Sequence, residues 1–128
     1  MAVVLGGGVI GRLNSGNTIS NSYAQGTING TSGGVKAGFV GYWNAGDITN
    51  SYATGAVASG VLLGGFSGAY TAGTYTSCYF SDSTGQATTD DGQATLETDA
   101  DMKLSGTYSG WDFATIWEIL AGGYPSHR

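Results

Sequence analysis

Ile19-Ser-Asn-Ser-Tyr23-Ala-Gln-Gly26-Thr-Ile28 recurs as Ile48-Thr-Asn-Ser-Tyr52-Ala-Thr-Gly55-Ala-Val57, and this pair of segments decides the fold. The offset is 29 residues. A third, weaker copy, Tyr75-Thr-Ser-Cys78-Tyr79-Phe80, follows 27 residues later. A second signature precedes each copy: Gly8-Val-Ile-Gly11, Gly38-Phe-Val-Gly41 and Gly65-Phe-Ser-Gly68. Each is followed by a short polar turn holding Gly16, Gly46 or Gly73. Two linked signatures in three copies make an internal repeat, the first thing to seek in a chain of this kind.

The repeat predicts β-structure. Its apolar runs are short, β-branched or aromatic, and lie between Gly, Ser and Asn turns, which reads as strands. Helical periodicity is missing from residues 1–80, and Ala, Leu, Glu and Lys are too sparse there for stacked helix hairpins. At about 3.3 Å per residue, one repeat makes a closed coil of about three short strands plus turns. Successive coils then stack about 4.8 Å apart through parallel ladders. The expected fold is all-β, a short right-handed parallel β-solenoid of about three coils at residues 1–81. Residues 82–128 are expected to form a linker and a C-terminal cap containing a short helix.

Equal spacing sets like residues above like. Ile19, Ile48 and Tyr75 should form one ladder, and Tyr23, Tyr52 and Tyr79 another. Val9/Ile10, Phe39/Val40 and Phe66 should stack as a third. Strict alternation along a strand puts Ile19, Asn21 and Tyr23 on one face, taken as inward, and Ser20 and Ser22 on the other. Asn21 and Asn50 would then lie inward or at a corner, bonded to the Asn or backbone of the next coil. The outward face would carry the columns Ser20–Thr49–Thr76 and Ser22–Ser51–Cys78.

Charge divides the chain. Of nine acidic residues only Asp47 precedes residue 82, and the later part holds two of the three tryptophans and the only proline. A solenoid end needs a cover for its strand edges. Trp111, Phe113 and Trp117, with Ile116 and Ile119, supply apolar area for one over the last coil. Thr98-Asp-Ala-Asp-Met-Lys103 predicts the short helix, with Thr98 as N-cap and Met102 and Leu104 facing the core. A carbohydrate platform on Trp111 or Trp117 is the functional reading of the same aromatics. Nothing comparable guards the N-terminal face, where copies of the chain or adjacent repeats are the expected partners.

Gly-x-x-Gly followed by Ile-[Ser/Thr]-Asn-Ser-Tyr-Ala-[Gln/Thr]-Gly resembles the GLUG motif of large bacterial surface and secreted proteins, adhesin-like ones among them. The resemblance covers roughly residues 3–80. The tail, with Gly110-Trp-Asp-Phe113, Trp117-Glu-Ile119 and Gly123-Tyr-Pro125, resembles segments that follow such repeats. The resemblance implies a secreted or cell-surface protein of bacterial or archaeal origin with a structural or adhesive role, and a filament if copies join end to end. A glycan- or ice-binding module, using the hydroxyl columns, is the alternative.

Other chemistries lack their residues. Four scattered cations build no basic patch, which argues against nucleic acid. No apolar run reaches 18 residues, so no membrane-inserted helix is expected. Met1–Leu5 lacks the basic region of a signal peptide, which places any leader outside this sequence. Hydrolytic solenoids need clustered carboxylates on one face, and the coils offer only Asp47, so no enzyme is expected. Asp90, Asp91, Asp99 and Asp101 are acidic pairs without the dense spacing of a calcium loop. Cys78 and His127 are a poor nucleophile pair, and one Cys with one His makes no zinc site. Gly6-Gly7-Gly8 lacks the ending of a phosphate loop. No cofactor or metal is expected.

Overall fold

The computed structural model describes residues 5–29, 33–86 and 93–128. The chain is an all-β parallel solenoid. Coil 1 holds β1 (Leu5–Gly7), β2 (Ile10–Leu13), β3 (Thr18–Ser20) and β4 (Tyr23–Ala24). Coil 2 repeats them as β5 (Val35–Ala37), β6 (Val40–Trp43), β7 (Asp47–Thr49) and β8 (Tyr52–Ala53). Coil 3 follows with β9 (Leu62–Gly64), β10 (Ser67–Tyr70), β11 (Thr74–Thr76) and β12 (Tyr79–Ser81). Each coil thus has four short strands rather than about three. The strands stack as β1-β5-β9, β2-β6-β10, β3-β7-β11 and β4-β8-β12-β13, where β13 is Thr95–Glu97. One ladder therefore continues past residue 81, into the stretch expected to be linker and cap. Residues 125–127 (β15) pair antiparallel with Trp117–Ile119 (β14).

Register shows where the repeat varies. Val35 pairs with Leu5, whereas Ile48 pairs with Ile19, so coil 1 carries one extra residue between these positions. It lies in the turn 14–17, which is three residues long in the other coils (44–46 and 71–73). Gly16, Gly46 and Gly73 sit in these turns at φ of 79°, 95° and 121°, where a side chain would be strained. The first glycine of each Gly-x-x-Gly has a different task. A Cβ on Gly38 would lie 2.2 Å from Gly65 O and 3.0 Å from the Ala53 Cβ. On Gly8 it would meet Gly38 O and the Ala24 Cβ, and on Gly65 the Phe80 ring. This column has no room for a side chain, because two walls of the coil meet there.

The inner core joins Leu13, Ala24, Phe39, Val40, Trp43, Ile48, Ala53, Phe66, Cys78 and Phe80. Phe39 and Phe66 stack with centroids 4.6 Å apart, in the expected ladder. Val9 donates its N–H to Phe39 O and Phe39 donates to Phe66 O, which fixes the column's backbone. Coil 2 has neighbours above and below, and Phe39, Val40, Trp43, Ile48 and Tyr52 are fully buried. In coil 1, Ile10 and Ile19 are only half-buried and Val9 is exposed.

The face of the tyrosine ladder differs from the expectation. Ile19, Ile48 and Tyr75 pair in register, as do Tyr23, Tyr52 and Tyr79. Ile19 and Ile48 of the first column point into the coil, while Tyr75 at its end is exposed, and the second column points out of it: Tyr52 and Tyr79 belong to a separate cluster with Trp111 and Trp117. The cause is the corner between them. Asn21, Asn50 and Ser77 take φ of 48°, 47° and 51°, the left-handed region that Asn tolerates best among residues with a side chain. One such residue breaks strand alternation, so the positions after it swap faces. Ser51 and Cys78 consequently lie inside, buried, and the Ser22–Ser51–Cys78 column is not an outward one. Ser22 and Ser51 donate their Oγ–H to the carbonyls of Ser20 and Thr49, each at 2.8 Å, which ties the corner down. The Asn side chains form no ladder. Their backbone N–H groups donate to Thr49 O and Thr76 O, and Asn21 Oδ1 is buried without a partner among the described residues.

Candidate binding surfaces

The C-terminal segment lays β13 on β12 of the last coil, and its aromatic part runs along the side of all three coils. Trp111 Nε1 donates to Ser77 O at 3.0 Å and Tyr79 Oη accepts from Ser109 N, both on coil 3. Tyr52 Oη, on coil 2, donates to Pro125 O at 2.5 Å and accepts from Gln25 Nε2. His127 Nε2 reaches Asn21 O, at the coil 1 corner, at 2.7 Å. Around these bonds Tyr52, Tyr79, Met102, Tyr108, Trp111 and Trp117 close a second core, with Tyr23, Phe113, Ile116, Ile119 and Tyr124 at its margin. Burial pushes the Tyr52 and Tyr108 hydroxyls far above their ordinary range, because a phenolate there would lose its water.

This placement removes one candidate site. Trp111 and Trp117 are 7% and 0% exposed, so neither offers a platform to a sugar. The expected helix is a single 3-10 turn, Asp101–Lys103, with Ala100 at its N-cap position, and Thr98 Oγ1 accepts from Asp101 N at 3.1 Å. Met102 is buried as expected, but Leu104 points to solvent at 57% exposure. The turn is too short to aim both at one core.

The acidic pairs do not converge either. Asp99 holds Lys103 at 2.7 Å and accepts from the Tyr124 hydroxyl. The Lys103 ammonium, then the Tyr124 hydroxyl, keeps the Asp99 carboxyl below its usual range. Asp101 is taken by Thr98 Oγ1 at 2.8 Å, and Asp112 caps the backbone of Ala114 and Thr115. Asp90 and Asp91 lie outside the described residues. Among the described residues no three His, Cys, Asp or Glu side chains come together. Cys78 and His127 are not brought together, since the thiol is in the inner core and the imidazole on the coil 1 corner. Desolvation pushes the Cys78 thiol up to about 11.

Three surfaces remain. The first is the outward side of β3-β7-β11. Thr18, Asp47 and Thr74 form one column there, and Ser20, Thr49 and Thr76 the next. Thr74 Oγ1 donates to Asp47 Oδ1 at 2.5 Å, so the first column is partly bonded to itself. The second surface is the coil 1 end. Among the described residues each of the four ladders has a coil 1 strand, β1, β2, β3 or β4, as its outermost member there. At the other end β12 is covered by β13, and Ser67 Oγ donates to buried Gln93 at 2.6 Å, so part of that opening is closed.

The third surface was not foreseen from the sequence. A groove of about 300 Å³ lies where the β1-β5-β9 and β2-β6-β10 ladders meet, lined by Leu5, Val35, Leu62, Arg12, Tyr42 and Ala69. Its only legible signal was the spacing of Leu5, Val35 and Leu62, which pair in one column.

No family model matches the chain, and no solved structure matches it. One curated relative is 40% identical over 124 residues, which cover 89% of this chain. It is a protein of Evansella cellulosilytica named "Putative Gly-rich membrane protein". The chain spans 14% of that relative's length. Among the described residues no helix is long and apolar enough to cross a membrane.

Proposed function

We propose that this chain is a structural and adhesive module of the cell envelope, of the GLUG type, rather than an enzyme. Its working surface is the coil 1 end, which accepts a further parallel coil from an adjacent repeat or from a second copy. The observation that carries this reading is the shared edge: among the described residues all four ladders have a coil 1 strand as their outermost member at the same end. Unpaired strand edges are templates for more strand, and natural proteins normally blunt them. Here Val9 is exposed and Ile10 and Ile19 are half-buried beside those edges. In coil 2 the equivalent Val40 and Ile48 are fully buried once a coil lies on top. The length of the relative, in which a stretch like this one is a small part, and the word membrane in its name fit a module within a larger envelope protein.

The test is to supply a further coil. A chain lengthened at its N-terminus by one more coil, with the sequence of residues 31–57, should melt at least roughly 5 °C higher. The unlengthened chain should associate reversibly as its concentration rises in sedimentation, and Val9→Lys should suppress this. An unchanged melting temperature together with a monomer at every concentration would overturn the proposal.

A further inference from the structure

The groove between the first two ladders carries a separate inference; it begins at Leu5 and Arg12 on the coil 1 strands and runs along the side of the stack. Its walls come from three successive rungs. Leu5, Val35 and Leu62 line one side, and Arg12, Tyr42 and Ala69 the other. At about 4.8 Å per rung, the groove is about 10 Å long between the first and third. Glycines keep the two ladders close at this bend. A Cβ on Gly68 would sit 2.7 Å from Val35 Cγ1, and one on Gly41 3.0 Å from Gly6 O.

The lining is apolar except at one end. Arg12 lies there with its guanidinium over the Tyr42 ring, 5.2 Å from the centroid. The other cations are engaged: Lys36 Nζ donates to Ser59 O, Lys103 pairs with Asp99, and Arg128 donates to the carbonyls of Phe113 and Trp117. Arg12 has Nε on Asn14 Oδ1 at 3.1 Å, and no carboxylate among the described residues lies within 4.0 Å of it. It is thus an exposed cation with no carboxylate beside it among the described residues, in a chain of net charge −5, at the mouth of an apolar groove. Arginine's fork is matched in shape and charge by a carboxylate.

We propose that this groove binds an aliphatic carboxylate, its carboxylate on Arg12 and its alkyl chain lying over Val35 toward Leu62 and Ala69. A sugar fits this lining poorly. Among the described residues that line it the polar side chains are Arg12 and Tyr42, and the Tyr42 hydroxyl is already hydrogen-bonded to Thr71 Oγ1 at 2.9 Å. Sugar hydroxyls placed against Leu5, Val35 and Leu62 would go unpaired, whereas an alkyl chain has nothing to leave unpaired. Apolar surface supplies the attraction and one charged group sets the direction, as in small-molecule sites generally.

The experiment is a titration followed by methyl resonances, with decanoate and decyltrimethylammonium as probes below their micelle concentrations. Decanoate should give saturable shifts at the Leu5, Val35 and Leu62 methyls. The cation of equal chain length should bind at least tenfold more weakly. Arg12→Gln should weaken decanoate at least tenfold, and Leu62→Asp should abolish its binding. Both substituted side chains are exposed, and circular dichroism checks that each variant keeps its fold. Absence of saturable shifts at these methyls would overturn the proposal. So would equal affinity for the two probes on the unsubstituted chain, a comparison that needs no variant.

Discussion

Ile48 and Tyr52 lie four residues apart in the same repeat, are both fully buried, and face opposite ways. In the Ile19–Ile48–Tyr75 column, Ile48, with Ile19 beside it, packs in the inner core with Trp43 and Phe66, and Tyr75 at the end of that column is exposed, edge-on to Trp43. The Tyr23–Tyr52–Tyr79 column packs against Trp111 and Trp117 outside the coils. The difference is one corner residue in the left-handed region. Without it, alternation would place the tyrosines inside, where Gly38 and Ala53 already meet with no room to spare. With it, the same ten residues feed two cores. The first is filled by stacking like on like, and the second by the C-terminal segment laid along the stack.

Removing the side support should have the largest effect. Trp117→Ala deletes a fully buried tryptophan of the outer core, which contacts Tyr23, Tyr52, Trp111 and His127. A buried Trp truncated to Ala costs about 3–5 kcal/mol. Urea unfolding should show a loss of that order. The inner and outer cores share the β4-β8-β12 strands, so fluorescence and circular dichroism should still report one transition. Two separated transitions would mean that the solenoid stands without its side support.

Much of this was legible in the sequence. The two signatures at matched offsets gave the stacking and the register, because a parallel ladder must repeat what it stacks. The orientation after the corner was less so. Asn at 21 and 50 was a usable sign of a left-handed residue, but the third copy has Ser77 there, and alternation is the ordinary expectation for a strand. The course of the C-terminal segment was hidden for a different reason. Its aromatics announce that they are buried without saying against which side of the stack. The groove was hidden too, since the Leu5–Val35–Leu62 column is a contact of sheet geometry. Its arginine has counterparts Tyr42 and Ala69, which share no chemistry with it.

The corner itself can be tested at a smaller scale. Asn50→Ala forces a Cβ-bearing residue without a side-chain amide into φ 47°, and should cost about 1–2 kcal/mol. Asn50→Gly accepts the angle freely and should stay within about 0.5 kcal/mol of the parent. If both variants lost the same stability in denaturant titration, the Asn side chain and not its backbone angle would be what the corner needs. The two cores would then be separated by a contact rather than by a conformation.

The smallest effect distinguishes the two columns by pH. Cys78 follows the Ser77 corner as Ser22 and Ser51 follow theirs, and it lies in the inner core. Burial raises its thiol from 9.0 to about 11. The folded state therefore holds that proton more tightly than the unfolded chain. The stabilisation is complete below pH 9 and is lost as pH rises from about 9 through about 11. At pH 10 the loss from this group is about 1 kcal/mol. Tyr52 and Tyr108, in the outer core, are raised further, so their share of the loss begins at about pH 10 and continues above it. Cys78→Ser puts at this position the residue found in the other two coils, with Thr76 O in reach as Thr49 O is for Ser51. Denaturant titrations at pH 7.5, 9 and 10 should then show the variant losing less stability than the parent between pH 7.5 and 10. The two should fall in parallel above about 11. An identical pH dependence throughout would place the thiol in water, and with it the whole inward turn of the chain after the corner.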